Sequence, residues 1–143
     1  MRLFSFEASS GRPLTSWTDD KGVAHRVDPK TSKTVISPIF MSDVPSRFAC
    51  FHIGPGGFVP EHPAAGPQLF VVVEGEGWVS SAGGERVAIK AGQAAYWEPG
   101  EAHSSGTERG MKAIVVECES FDPARFMREI RPPRSGAERE TRR

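Results

Sequence analysis

Between Gly66-Pro67 and Gly75 the chain reads Gln-Leu-Phe-Val-Val-Val-Glu, and its solid apolar part, residues 69–73, holds three valines in five positions. Five residues make less than two helical turns, the valines are β-branched, and glycine or proline closes both ends, so this run reads as a buried strand. Short runs of the same kind follow one another along the chain. Residues 34–40, 47–53, 78–80, 87–89, 94–97 and 111–118 are strand candidates. They are separated by turn signals at Ser42-Asp43-Val44-Pro45, Gly54-Pro55-Gly56-Gly57, Glu74-Gly75-Glu76-Gly77, Ala82-Gly83-Gly84-Glu85, Ala91-Gly92 and Pro99-Gly100. Fifteen glycines and twelve prolines in 143 residues leave little room for long helices. The chain therefore reads as all-β, with about eight to ten short strands joined by tight turns, the pattern of a jelly-roll barrel.

The flanks differ from this central part. Residues 1–33 read as an amino-terminal strand arm that packs on the barrel, residues 34–118, with Leu3 to Phe6 alternating as in a strand and a hairpin turning at Asp19-Asp20-Lys21-Gly22. His25 belongs to that arm and reads as a half-exposed strand residue. Asp122 and Pro123 suit the cap and first position of a helix, and Phe121 can staple onto Phe126, so residues 119–131 are expected to form a short C-terminal helix. Pro132-Pro133 ends it, and the charged, anchor-free residues 132–143 are expected to be disordered. Lysine plus arginine balance aspartate plus glutamate at 18 each, and the arginines of the tail are interleaved with Glu138 and Glu140, so no nucleic-acid interface is expected. No apolar window is long enough for a membrane span, no secretory leader is seen, and Cys50 and Cys118 read as buried free thiols on separate strands. A cytoplasmic protein is expected.

Two histidines arrive behind glycine and proline turns, His62 before the apolar run and His103 after Pro99-Gly100. If their strands are neighbours, both imidazoles meet inside the sheet. Gly56, His62 and Gly75 resemble the first motif of the cupin family, and Gly92, Gly100 and His103 resemble its second. That motif pair implies a double-stranded β-helix in which two histidines on one strand, a glutamate from the next and a histidine from the second motif hold a divalent metal. Two residues separate the paired histidines because side chains alternate along a strand. Here Ala64 stands at the second histidine position, Gln68 at the glutamate, Glu98 at the proline and Thr107 at the asparagine of the second motif. The resemblance thus implies His62, Gln68 and His103 as the metal ligands, for Zn, Ni, Fe or Mn, in a set with one imidazole fewer and no anion.

Further residues are candidates for the same pocket. Gln68, Phe70 and Val72 share one strand face. His52 is a spare imidazole, grouped by alternation with Phe48 and Cys50. Glu98 and Glu101 are the carboxylates nearest His103, and Trp78, Tyr96 and Trp97 are aromatic candidates for the wall. Three function classes stay open: a metal-dependent enzyme such as an isomerase, decarboxylase or dioxygenase; a metal-free acid/base enzyme similar to the sugar epimerases of the fold, with His62 or His103 as base and Tyr96 as acid; and a ligand-binding or sensing module without turnover. Each takes a small organic molecule into the barrel. The arm, which cannot bury itself, leads to the expectation of a homodimer.

Overall fold

The computed structural model describes residues 1–131, so the tail expected over residues 132–143 lies outside the described residues. Thirteen strands are formed: β1 (Arg2–Ser5), β2 (Arg12–Pro13), β3 (Ser16–Thr18), β4 (Ala24–Arg26), β5 (Val35–Ile36), β6 (Ser46–Ile53), β7 (Phe58–Pro63), β8 (Gln68–Ser81), β9 (Val87–Lys90), β10 (Gln93–Trp97), β11 (Ala102–Gly106), β12 (Met111–Cys118) and β13 (Arg128–Ile130). Nine of them make two antiparallel layers that share β8. One layer runs β13-β1-β10-β8-β12-β6 and the other β9-β8-β11-β7. This is the jelly-roll arrangement that the glycine-punctuated strand pattern implied and the double-stranded β-helix that the motif resemblance implied.

β8 crosses from one layer to the other. Its first half pairs with β10 and β12, its second with β9 and β11, and the bend falls at Gly75, where φ is +79°. A side chain there would strike the carbonyl oxygen of Gly110. The segment 74–77 read as a turn between strands is thus a bend within one 14-residue strand.

Between the layers lies a core of Phe70, Val72, Val79, Ile89, Ala95, Trp97, Met111, Ala113 and Val115, joined by Leu3, Ile53 and Ala64. On the outer side of the first layer Leu69, Val71, Ala94, Tyr96 and Val116 are covered by Phe4 and Met127, with Ile39, Phe40 and Phe121 packed against them. The 69–72 run is buried because both of its faces are covered, as alternating side chains on an enclosed strand require.

β1 lies inside the first layer, opposite Ala94 and Ala95 of β10 on one side and β13 on the other. Residues 12–36 instead form a ribbon of two small sheets, β2 with β5 and β3 with β4, ending in a hairpin whose Asp19 carboxylate accepts from the Lys21 and Val23 amides. His25 belongs to that hairpin: it stacks on Trp17 and bonds Asp19 at 2.9 Å. A single helical turn, α1 (Pro29–Ser32), interrupts the ribbon. The 34–40 strand candidate shrinks to β5, and the helix expected within residues 119–131 is a 3-10 turn at Pro123–Arg125 followed by β13. Asp122 does cap that turn through the Ala124 amide. Pairing with β1 and burial of Met127 then draw the chain into a strand, a tertiary override of local helix preference.

Candidate functional site

The site is assembled at one end of the space between the layers. Antiparallel pairing of β7 with β11 sets His62 directly opposite His103, and their rings lie 4.3 Å apart, centre to centre. His103 is 3% exposed and stacks on the Trp97 indole at 4.3 Å, with 25° between the planes. Trp97 is opposed on β8 by Gln68, which is 5% exposed, and residues directly opposed across an antiparallel pair present their side chains on one face. His62 and His103 on the second layer thus meet Trp97 and Gln68 on the first through the His103–Trp97 stacking, and Phe70 and Val72 lie on the same face of β8 as Gln68.

Each imidazole is held in the same way. His62 Nδ1 lies 2.7 Å from the Pro60 carbonyl oxygen, and His103 Nδ1 lies 3.0 Å from that of Glu101. A carbonyl has no proton to give, so Nδ1 carries the hydrogen in both rings, and in the neutral form the lone pair is left on Nε2. His103 Nε2 is buried with no protein partner, as is the neighbouring Trp97 Nε1. An unpartnered buried polar atom costs about 1–3 kcal/mol, so such atoms call for a ligand. Burial also pushes the His103 pKa below the ordinary histidine value. His62 adds to that effect, while the Glu101 carbonyl and the charges of Glu101 and Glu117 oppose it. The ring is thereby kept in its neutral, lone-pair-bearing state.

This donor set fits a metal in part. An imidazole that donates Nδ1–H to a backbone carbonyl and presents Nε2 is oriented as metal-ligating histidines are. Two such rings converge here, yet among the described residues no three His, Cys, Asp or Glu side chains are grouped closely enough to hold an ion. The remaining polar side chain on this face is the neutral amide of Gln68.

The other candidates fall elsewhere. β6 pairs with β12 so that His52 stands opposite Lys112, on the outer face and away from Phe51 and Ile53, which turn to the core. Tyr96 packs in the outer cluster, back to back with Trp97, and its hydroxyl donates to Glu98 at 3.4 Å. Burial and the Glu98 charge raise its pKa. Trp78 lies beneath the Arg86 guanidinium at 3.8 Å. Glu101 is fully engaged: one carboxylate oxygen accepts from the Glu98 amide, the other from the Met1 amino group at 2.7 Å. Its backbone carbonyl receives the amide of Ala64, which is packed in the core at 4% exposure.

One carboxylate on the inner strand face escaped the sequence reading. On β12, Met111, Ala113 and Val115 point into the core, so Glu117 shares their inward face, directly opposite Gln68 and opposite Arg47 of β6. The alternation Met111-Ala113-Val115-Glu117 was the available signal.

Comparison with known proteins agrees with this architecture. The Cupin domain family model matches residues 49–117. A DMSP lyase from Ruegeria pomeroyi DSS-3 superposes with a TM-score of 0.50 at 18% identity, covering 57% of this chain and 41% of that one. A cupin-like protein from Thermotoga maritima MSB8 gives 0.50 at 20% identity, over 52% and 57% of the two chains. At these identities the likeness is one of fold. No curated protein matches the sequence.

Proposed function

The chain belongs to the cupin family, whose domain model its barrel matches over residues 49–117, and on that basis we propose that it binds a small organic molecule at the histidine end of the barrel, around a divalent metal. His62 and His103 provide Nε2, and the amide oxygen of Gln68 is the third donor. The observation that carries this reading is the paired carbonyl anchoring of the two Nδ1 atoms, which leaves the Nε2 lone pair on each of two rings whose centres lie 4.3 Å apart, that of His103 buried without a partner. A first-row divalent ion bound there supplies Lewis acidity and a template for an oxygen of the ligand. The chain's own residues do the rest. The buried Trp97 N–H, which has no protein partner, is a donor for an acceptor atom of the ligand.

A metal-free acid/base reading is weaker for a specific reason: Tyr96, the acid it requires, faces away from the histidines. We also propose a homodimer, supported by β6, whose outer edge has no partner strand among the described residues, and a reducing compartment such as the cytoplasm, supported by two free cysteines, the buried Cys118 and, contrary to expectation, the exposed Cys50. Among the described residues no helix is long and apolar enough to cross a membrane.

The test is calorimetric titration of the full chain, purified without a His tag, with nickel and zinc. His103→Ala is expected to lose nearly all binding, and Gln68→Glu to bind more tightly by restoring an anionic ligand. Unchanged binding by His103→Ala would show that the histidines hold no metal.

A further inference from the structure

We propose that the molecule taken at the histidine end of the barrel presents a neutral hydroxyl group, whose oxygen accepts from the Trp97 indole N–H while its proton is donated to Nε2 of His103. The inference rests on the reading of this end as a ligand site and is independent of the metal. One Nε2 lone pair takes one partner, and the hydroxyl is the partner that the side chains select with no ion bound.

Two buried polar atoms at one place point to it. Trp97 is 0% exposed and His103 3%, and among the described residues neither Trp97 Nε1 nor His103 Nε2 has a hydrogen-bond partner. Buried polar atoms in native proteins are nearly always paired, so two orphans on stacked rings call for a common cause. They are of opposite kind. The indole Nε1–H can only donate, and because His103 Nδ1 bonds the Glu101 carbonyl at 3.0 Å, its neutral ring can only accept at Nε2. The two rings lie 4.3 Å apart with 25° between their planes. An oxygen at about 2.7–3.2 Å from each of two nitrogens bridges nitrogens up to roughly 6 Å apart, a span that suits rings stacked at this distance.

The surroundings decide which group can fill the place. A carboxylate accepts from Trp97 but sets its lone pairs against that of His103, and the two carboxylates whose charges act on His103, Glu101 and Glu117, repel it. An ammonium donates to His103, leaves the indole N–H unsatisfied and brings an unpaired charge into a buried place. An ether oxygen serves Trp97 alone. A hydroxyl serves both nitrogens and has no charge to desolvate. Ala64, two residues beyond His62 and packed in the core, carries only a methyl and offers no competing polar atom. Access runs past His62, which is exposed on β7, the edge strand of the second layer, with its ring 4.3 Å from that of His103.

The test uses the full chain freed of metal by a chelator and four probes of similar size: 1-propanol, methyl ethyl ether, propionate and propylammonium. Affinity is read from the probe's own NMR signals by saturation transfer. Place is read from the Trp97 indole N–H resonance, assigned by its absence in Trp97→Phe. 1-Propanol is expected to move that resonance saturably and to bind at least about tenfold more tightly than each of the other three. His103→Phe and Trp97→Phe keep a ring in the stack and remove one polar atom each, and each is expected to weaken 1-propanol about five- to twentyfold. His103→Phe is expected to leave the ether unchanged, which a loss of packing would not do. Thermal melting establishes that both variants fold, and if either does not, the four-probe comparison on the parent decides by itself. If propionate or the ether binds as well as 1-propanol, or if no probe moves the Trp97 resonance, the inference is overturned while the metal titration above stands. Unchanged metal binding by His103→Ala, in turn, removes the metal and leaves this result intact, because no ion is present in it.

Discussion

His103 is a base kept in surroundings that favour its uncharged form, and this has a consequence for stability. Its folded pKa is lowered, chiefly by burial, from an ordinary value of 6.5. Below that value the unfolded chain takes up a proton that the folded chain resists. The contribution of His103 is therefore fully present above pH 6.5 and is lost as pH falls through that value toward the depressed folded pKa. Melting of the apo-protein followed from neutral to mildly acidic pH is expected to show a falling midpoint, and His103→Leu to flatten that part of the profile. A parallel fall in the variant would place the acid sensitivity elsewhere. Individual residues were legible in the sequence to the extent that their neighbours lie close in the chain. Gln68, Phe70 and Val72 share a face because they are two apart. Tyr96 and Trp97 necessarily part company for the same reason, although which of them faces inward depends on what covers β10. The place of Glu117 was hidden because Gln68, which it opposes, lies far away in the chain and meets it only through the β8–β12 register.

β8 is the element on which the fold turns, and its bend is specified by glycine. Gly75 combines a left-handed backbone with an approach to the Gly110 carbonyl that excludes any side chain. Gly75→Ala thus meets two penalties: about 1–2 kcal/mol for an L-residue with positive φ, and roughly 1–3 kcal/mol for the displaced neighbouring backbone. Urea unfolding is expected to show a loss in the range of about 2–5 kcal/mol. A loss under 1 kcal/mol, on the order of an ordinary surface change, would mean that the bend relaxes freely. The glycines here announced a change of direction. Whether it ended one strand and began another, or bent one strand between layers, depends on pairing partners that local sequence does not encode. The C-terminal segment teaches the same lesson. Asp122 and Pro123 begin a helical turn as their chemistry dictates, and the free edge of β1 then captures residues 128–130.

The molecule as a whole leaves β6 unfinished. It is an eight-residue strand that, among the described residues, pairs only with β12, and Phe48 on its outer face is 58% exposed. Long exposed edges with apolar side chains invite another strand, so a dimer through this edge is expected. Light scattering at micromolar concentration checks it, with Phe48→Lys expected to shift the population toward monomer; a parent protein that is already monomeric contradicts it. Removing residues 1–12 would damage the barrel itself rather than test the dimer. β1 carries the fully buried Phe4 and the nearly buried Leu3 within its own barrel, and each is worth about 1.5–3 kcal/mol of burial. The barrel architecture was readable because alternation and turn chemistry are local, whereas edge and oligomer depend on how the layers close. The two layers meet through β8, and every strand paired with β8 follows it in the chain: β9, β10, β11 and β12. During synthesis, at about 5–20 residues per second, the 69–73 run leaves the ribosome seconds before residue 118 completes its last partner. For that interval the most apolar strand of the protein is a nascent segment without a sheet to join, and its safe delivery rests on whatever shields nascent chains rather than on the barrel it will later hold together.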